Sequence, residues 1–202
     1  QMCIRDSEIS EQLGWNVPEW IASPIGGGGL LGANWKGFRE LEELGLTTRS
    51  PRIAGVQSDG CAPVVRAFKE KQDPSNIKPW SNAETVAGGL RDPIPWDGDI
   101  ALRAIVDSDG IATDVPDVEI LEAQRLLAET EGLFAEPSGV ASLAGAVQMI
   151  REGTIKKDES VVVLITGSGL KDIASAMKTF REPATITPNL DDFESLSGSV
   201  RN

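Results

Sequence analysis

The sequence predicts an α/β fold: a three-layer, doubly wound and mostly parallel sheet with helices on both faces. Three observations lead there. Short apolar stretches alternate with longer helical patterns from Val17 to Phe180, the order that produces crossover connections and parallel pairing. Val161-Val-Val-Leu-Ile165 is a continuous apolar run, as a strand covered on both faces requires. Two glycine-rich turns, Gly26 to Gly29 and Gly167 to Gly169, each come directly after such a stretch. Both therefore fall at strand carboxyl ends, where open α/β sheets bind ligands, and they can face a single ligand from two sides.

With 202 residues, 40% hydrophobic and 25% charged, the chain can bury a sizeable core. No apolar run approaches the ~18 residues of a membrane-spanning helix, and no charged-then-apolar leader pattern occurs, so the expectation is a cytoplasmic protein with no membrane partner. Cysteine occurs only at Cys3 and Cys61, which excludes a disulfide framework and a thiolate metal cluster. Histidine is absent, and with it every His-dependent triad and His-ligated zinc site. A net charge of -12 repels a nucleic-acid backbone, so nucleic acid is not an expected partner.

Taken in order, residues 1–16 show no clear period, and Gln1-Met-Cys-Ile-Arg-Asp-Ser7 stands apart from the rest of the chain, as if the polypeptide began inside a longer protein. Val17 to Ile25 reads as a strand with Pro18 at its entry and Pro24 at its exit, where a missing N–H does least harm. Leu30, Leu31, Trp35, Phe38, Leu41 and Leu44 then recur at helical spacing, and Gly45 supplies the stop. Arg52 to Gln57 is a second strand and Pro63 to Lys71 a helix. Asp73 to Asn82 is a connection, and Glu84 to Leu90 a small-residue segment suited to close packing. A helix is expected from Asp97 to Val106 and a strand from Ile111 to Val115. Pro116 then opens an amphipathic helix through Thr130, with Ile120, Leu121, Leu126 and Leu127 inward. Pro137 to Arg151, rich in Ala and Gly, suits a helix lying close against a sheet. After Val161 to Ile165 come Thr166-Gly-Ser-Gly169 and a last helix to about Phe180. Residues 181–202 are polar and acidic and read as a loosely held tail.

The strongest chemical signal is Ser23-Pro-Ile-Gly-Gly-Gly-Gly-Leu-Leu31. Without Cβ atoms the backbone can turn sharply and bring its N–H groups against a ligand. The helix beginning there adds unpaired donors and the positive end of its dipole, so the guest this stretch favours is a phosphate. Gly27, Gly29 and Gly32 satisfy G-x-G-x-x-G, but the next strand ends at Gln57-Ser-Asp59, too late for the acid that a dinucleotide site places on the ribose. G-x-x-x-x-G-K-[ST] does not occur.

Three motifs in order, Pro24-Ile-Gly-Gly-Gly-Gly-Leu30, Glu136-Pro-Ser-Gly-Val-Ala-Ser-Leu-Ala-Gly145 and Val161-Val-Val-Leu-Ile-Thr-Gly-Ser-Gly-Leu-Lys-Asp172, resemble the fold-type II, tryptophan-synthase-beta-like pyridoxal-phosphate enzymes. With Trp35-Lys-Gly-Phe38 and Val56-Gln-Ser-Asp-Gly-Cys-Ala-Pro63, the last motif is most similar to the threonine synthases. The resemblance runs from about Val17 to Asp172 and makes 17–180 the expected enzyme portion. It implies that Gly26, Gly27, Gly28 and Gly29, with the N–H of Leu30, hold the phosphate of pyridoxal 5'-phosphate, and that Thr166 meets the pyridine nitrogen. It also implies that Glu136, Ser138 and Gly139 line the cofactor pocket, that the substrate is O-phosphohomoserine, and that the enzyme is a homodimer. From the residues alone, Thr166 can equally cap the next helix, and Glu136-Pro-Ser138 can be a helix start with Pro in its first turn. Cys61 reads as a small apolar filler, and Trp20, Trp35, Trp80 and Trp96 as core or interface.

The chain departs from that family in one essential. Such enzymes need a lysine that bears the cofactor and shuttles protons, and none of Lys36, Lys69, Lys71, Lys78, Lys156, Lys157, Lys171 and Lys178 has the expected Ser-x-Lys context. The expectation is that this is roughly the carboxyl-terminal half of the enzyme, inactive by itself. A dehydratase of the same superfamily, and a non-catalytic phosphate-binding domain, are the alternatives.

Overall fold

The computed structural model describes residues 4–178 and 185–200. Four parallel strands, β1 (Trp20–Pro24), β2 (Arg52–Ser58), β3 (Ile111–Val115) and β4 (Val161–Val163), form one sheet in the order β3-β2-β1-β4. The chain moves outward from β1 through β2 to β3, then returns to pair β4 on the other side of β1. The strand order thus reverses at β1, which opens a crevice beyond its carboxyl end.

The described residues also form eight helices, of which α2 to α6 pack on the sheet: α1 (Ile4–Gln12), α2 (Gly29–Glu43), α3 (Pro63–Lys69), α4 (Gly98–Asp107), α5 (Asp117–Glu131), α6 (Pro137–Arg151), α7 (Ile173–Ala176) and α8 (Leu190–Val200). The strands alternate their side chains between two cores, as the two-residue period demands. Ile21 and Ile53 pack with Leu31 and Phe38 of α2, Val64 of α3, and Leu102 and Ile105 of α4. Trp20, Ala22, Ala54 and Val56 point the other way, onto Ile120 of α5 and Val140 and Met149 of α6. The sheet is therefore the middle layer of three, as expected.

Several boundaries and faces differ from the sequence reading. The first strand starts at Trp20 rather than Val17, and β4 ends at Val163. In α5 the buried stripe is Ile120, Ala123, Gln124 and Leu127, while Leu126 is exposed. A polar residue occupies the stripe because Gln124 Nε2 donates to the Ala135 carbonyl at 2.6 Å. Leu44 is 73% exposed because it lies past the end of α2, at its C-cap. The helix expected after Gly169 is split into a 3-10 turn, Gly169–Lys171, and the short α7. Residues 4–12 form α1, with Asp6 packed where Gly37 of α2 has no side chain. Residues 190–200 form α8 where only a loose tail was expected. Cys3 and the segment around Phe180 and Arg181 lie outside the described residues. Cys61 is fully buried, with its thiol pushed up by burial, as a filler should be. Trp20, Trp35 and Trp80 join the cores, whereas Trp96 is 91% exposed. Among the described residues no helix is long and apolar enough to cross a membrane.

Candidate functional site

The glycine turn links the carboxyl end of β1 to the amino end of α2. Gly28 is the N-cap of α2 and is left-handed, with φ 101. A side chain there would collide with the Asp97 carbonyl. Among the described residues, the N–H groups of Gly26 to Leu30 donate to no other group of the chain. Those of the first helical turn have no intrahelical acceptor, and the glycines leave the others open, so the turn presents a row of donors at the positive end of a helix of 15 residues.

The second wall comes from residues 84–98, of which the sequence marked 84–90 as close-packing and Asp97 as the start of a helix. The Asp97 N–H donates to the Gly27 carbonyl at 2.7 Å, and a Cβ on Gly26 would stand 2.6 Å from the Gly89 carbonyl. Gly89 in turn donates its N–H to Ser138 Oγ at 2.8 Å, which joins this wall to the start of α6. Asp117 anchors the same segment from behind by accepting from Thr85 Oγ1 and the Val86 N–H at 2.5 and 2.8 Å. Two carboxylates also approach the turn. Asp92 Oδ2 lies 3.5 Å from where a Cβ of Gly27 would be, and Asp97 Oδ2 lies 2.6 Å from that of Gly29.

The third element is the end of β4. Ala22 pairs with Val163, so the chain beyond β4 leaves the sheet beside the glycine turn, about one strand spacing (~4.8 Å) away. Gly139 of α6 permits this region to pack closely, since a Cβ there would sit 2.7 Å from the Gly167 nitrogen and 3.1 Å from that of Thr166. Ser142 Oγ donates to the Leu164 carbonyl at 2.8 Å, and the Glu136 N–H to the Gly167 carbonyl at 3.0 Å. The Thr166 hydroxyl is exposed and takes no partner among the described residues, so it does not cap the next helix. That role falls to Ser168, whose Oγ accepts from the Leu170 N–H. A cleft of about 460 Å³ opens beside Thr166, between Leu133, Phe134, Ile165 and Ser168.

Glu136 stands at the N-cap of α6 and pairs with Lys171 Nζ at 2.8 Å. The structure thus brings Gly26 to Leu30, Glu136, Ser138, Gly139 and Thr166 to the carboxyl edge of the sheet. All eight lysines are solvent-exposed, and none is desolvated as a cofactor-bearing amine should be. The residues that sequence reasoning missed, Gly89, Asp92 and Asp97, touch the turn through an irregular segment, mostly by backbone groups that leave no residue-type signal.

Residues 7–167 match the family described as pyridoxal-phosphate dependent enzymes. The chain is 42% identical to a threonine synthase of Methanocaldococcus jannaschii, over 89% of this chain and 44% of that protein. It is 41% identical to a threonine synthase of Methanosarcina acetivorans, over 96% of this chain and 48% of that one. The chain therefore spans a little under half the length of these curated relatives. Among solved structures, an L-serine ammonia-lyase from Rhizomucor miehei superposes with a TM-score of 0.72 at 22% identity, covering 89% of this chain and 56% of the other. A threonine deaminase isoform 2 from Solanum lycopersicum superposes at 0.68 with 23% identity, covering 88% and 47%. At such identities these two show the fold.

Proposed function

The chain belongs to the pyridoxal-phosphate-dependent enzyme family, and from that premise we propose that it supplies the cofactor-phosphate and ring-nitrogen side of a threonine synthase. The observation that carries the proposal is the row of unpaired N–H groups from Gly26 to Leu30, with the free Thr166 hydroxyl on the neighbouring strand end. This donor set fits the cofactor: backbone N–H groups at a helix start suit a phosphate, and they outnumber the two carboxylates, Asp92 and Asp97, that stand beside the turn and oppose an anion. Gly26, Gly27, Gly28, Gly29 and Leu30 hold the phosphate, Glu136, Ser138 and Gly139 line the pocket, and Thr166 donates to the pyridine nitrogen. Bound pyridoxal 5'-phosphate supplies an electron sink for carbanion chemistry. A hydroxyl at the ring nitrogen, unlike a carboxylate, leaves that nitrogen unprotonated and moderates the sink. The Glu136–Lys171 pair holds the Thr166–Gly167 turn against α6, so the hydroxyl keeps its position.

The names of the relatives support threonine as the product, and the substrates we assign are O-phosphohomoserine and water, with phosphate as the second product. The lysine that carries the cofactor then lies outside these 202 residues, and the working form is a cytoplasmic homodimer, whose mass light scattering reads directly. The deciding experiment assays the complete polypeptide with the cofactor. Inorganic phosphate released from O-phosphohomoserine is the expected result. Formation of 2-oxobutyrate from threonine without that release would transfer the assignment to a dehydratase. Borohydride reduction that labels no lysine would leave a phosphate-binding domain.

A further inference from the structure

A second cavity lies away from the glycine turn, between the carboxyl-terminal ends of α3 and α4. It measures about 630 Å³, within the range of sites for small organic ligands, roughly 300–1,000 Å³. Its floor is apolar. Phe68 and Leu102 form part of the core beneath it, and Val106, which is 57% exposed, leaves an aliphatic wall open to solvent. Its lining carries three cations, Lys69, Lys71 and Arg103, and one acid, Asp107. Lys69 is already paired with Asp114, and Arg103 also faces Asp73. The Lys71 ammonium has no partner among the described residues.

We propose that this α3/α4 cleft is a binding site for a small amphipathic acid, an apolar body of aromatic or branched aliphatic character carrying one carboxylate. The apolar body covers Phe68, Leu102 and Val106, and the carboxylate meets Lys71 with Arg103 beside it. Complementarity of charge selects the acid over its neutral analogue, because a carboxylate leaves water here only toward a cation. The site is separate from the proposed catalytic one. α4 runs between them, with Asp97 at its N-cap against the glycine turn and Arg103 to Asp107 at the cleft, and its 10 residues place the two ends about 15 Å apart. An occupant of the cleft is therefore no substrate held at Thr166, and this inference stands independently of the proposed reaction.

The test titrates the 15N-labelled chain with 4-phenylbutyrate and follows the amide resonances. Saturable shifts confined to residues 67–74 and 102–107 are expected, with affinity about tenfold weaker in Val106→Glu, which puts a like charge into the cleft. 4-Phenylbutanol, the neutral probe, should bind about tenfold weaker as well, as should 4-phenylbutyrate to Lys71→Gln. Val106 and Lys71 are exposed, so folding of both variants is verified by their unchanged remaining spectra. Shifts that do not saturate, that persist undiminished in Val106→Glu, that concentrate at exposed Ile94 and Trp96, or that are equal for acid and alcohol would each overturn the proposal.

Discussion

Gly28 carries two constraints that a side chain cannot meet together: a φ of 101 and the Asp97 carbonyl where a Cβ would be. Left-handed backbone alone costs a non-glycine residue about 1–3 kcal/mol, and the collision adds to it because backbone cannot move aside like a flexible side chain. Gly28→Ala should therefore lower stability by about 2–4 kcal/mol and abolish phosphate binding. Gly45→Ala supplies the contrast. Gly45 is also left-handed, with φ 71, but nothing lies within 4 Å of its Cβ position, so only the conformational cost of about 1 kcal/mol applies. Equal melting temperatures for the two variants would show that the Asp97 contact does not matter. Asp97 itself makes a second prediction. Its carboxylate beside Gly29 opposes any anion entering the turn, so Asp97→Asn should tighten binding of inorganic phosphate severalfold, about 0.5–1 kcal/mol. Isothermal titration of both proteins reads this, and weaker binding in the variant would mean that the carboxylate organises the turn instead. The glycines were legible in the sequence because an unbroken glycine run has few other uses between a strand and a helix. Asp97 was not, because it meets the turn, by backbone and carboxylate alike, from a segment distant in the chain.

At the scale of elements, the amino end of the sheet is clasped by Glu159, in the turn before β4. Its carboxylate accepts from the Lys156 N–H at 2.9 Å, from Trp20 Nε1 at 3.0 Å and from Arg52 at 2.5 Å, so one side chain ties β1, β2 and the approach to β4. Arg52 also stacks on the Trp20 ring, 4.1 Å from its centroid. These donors, the Lys156 N–H first, pull the Glu159 carboxyl down from 4.5 to about 2. A lowered folded value means that the ionised form favours the native state, so the stabilisation is complete above 4.5 and is lost as the pH falls toward about 2. Urea midpoints should thus fall more steeply across that window in the wild type than in Glu159→Gln. Glu19, held down by the Ser160 hydroxyl and N–H, titrates in both proteins, so the difference between the two curves isolates Glu159. Parallel curves would exclude the clasp. Element identity was legible where the local signal is strong: Ile111–Val115, a short strand closed by Pro116, and the Ala- and Gly-rich Pro137–Arg151 fall where the sequence put them. It was not legible for the segment 84–97, whose course is set by packing against Gly26 to Gly29, nor for α1, whose polar sequence carries little apolar period; α8 does carry Leu190, Phe193 and Leu196 at helical spacing, a signal that the polar, acidic composition of the tail outweighed.

For the whole molecule, the site and its surroundings have opposite electrostatic sense. The glycine turn attracts anions through short-range N–H dipoles, whereas the chain as a whole carries -12 and repels them over a distance that ionic strength controls. That the two glycine turns can face a single ligand was expected from their places at strand ends; the pairing of β1 with β4, which brings them side by side, came from the structure. The repulsive field was equally readable from composition, yet its consequence needs the structure, because only there do Asp92 and Asp97 stand beside the turn. At about 10 mM salt the screening length is ~30 Å and the whole surface acts on an approaching phosphate; at about 150 mM it is ~8 Å and only the turn and its nearest carboxylates remain. Phosphate affinity, followed through the amide resonances of Gly26 to Leu30, should therefore rise about two- to fivefold on adding sodium chloride over that range. Chloride competing for the same N–H groups would act in the opposite direction, so a rise cannot be an artefact of competition. A fall of several-fold that persists when a bulky, weakly competing anion such as gluconate replaces chloride would mean that the site's own positive potential reaches beyond the acidic surface, and that the turn recruits its phosphate from a distance instead of only holding it on arrival.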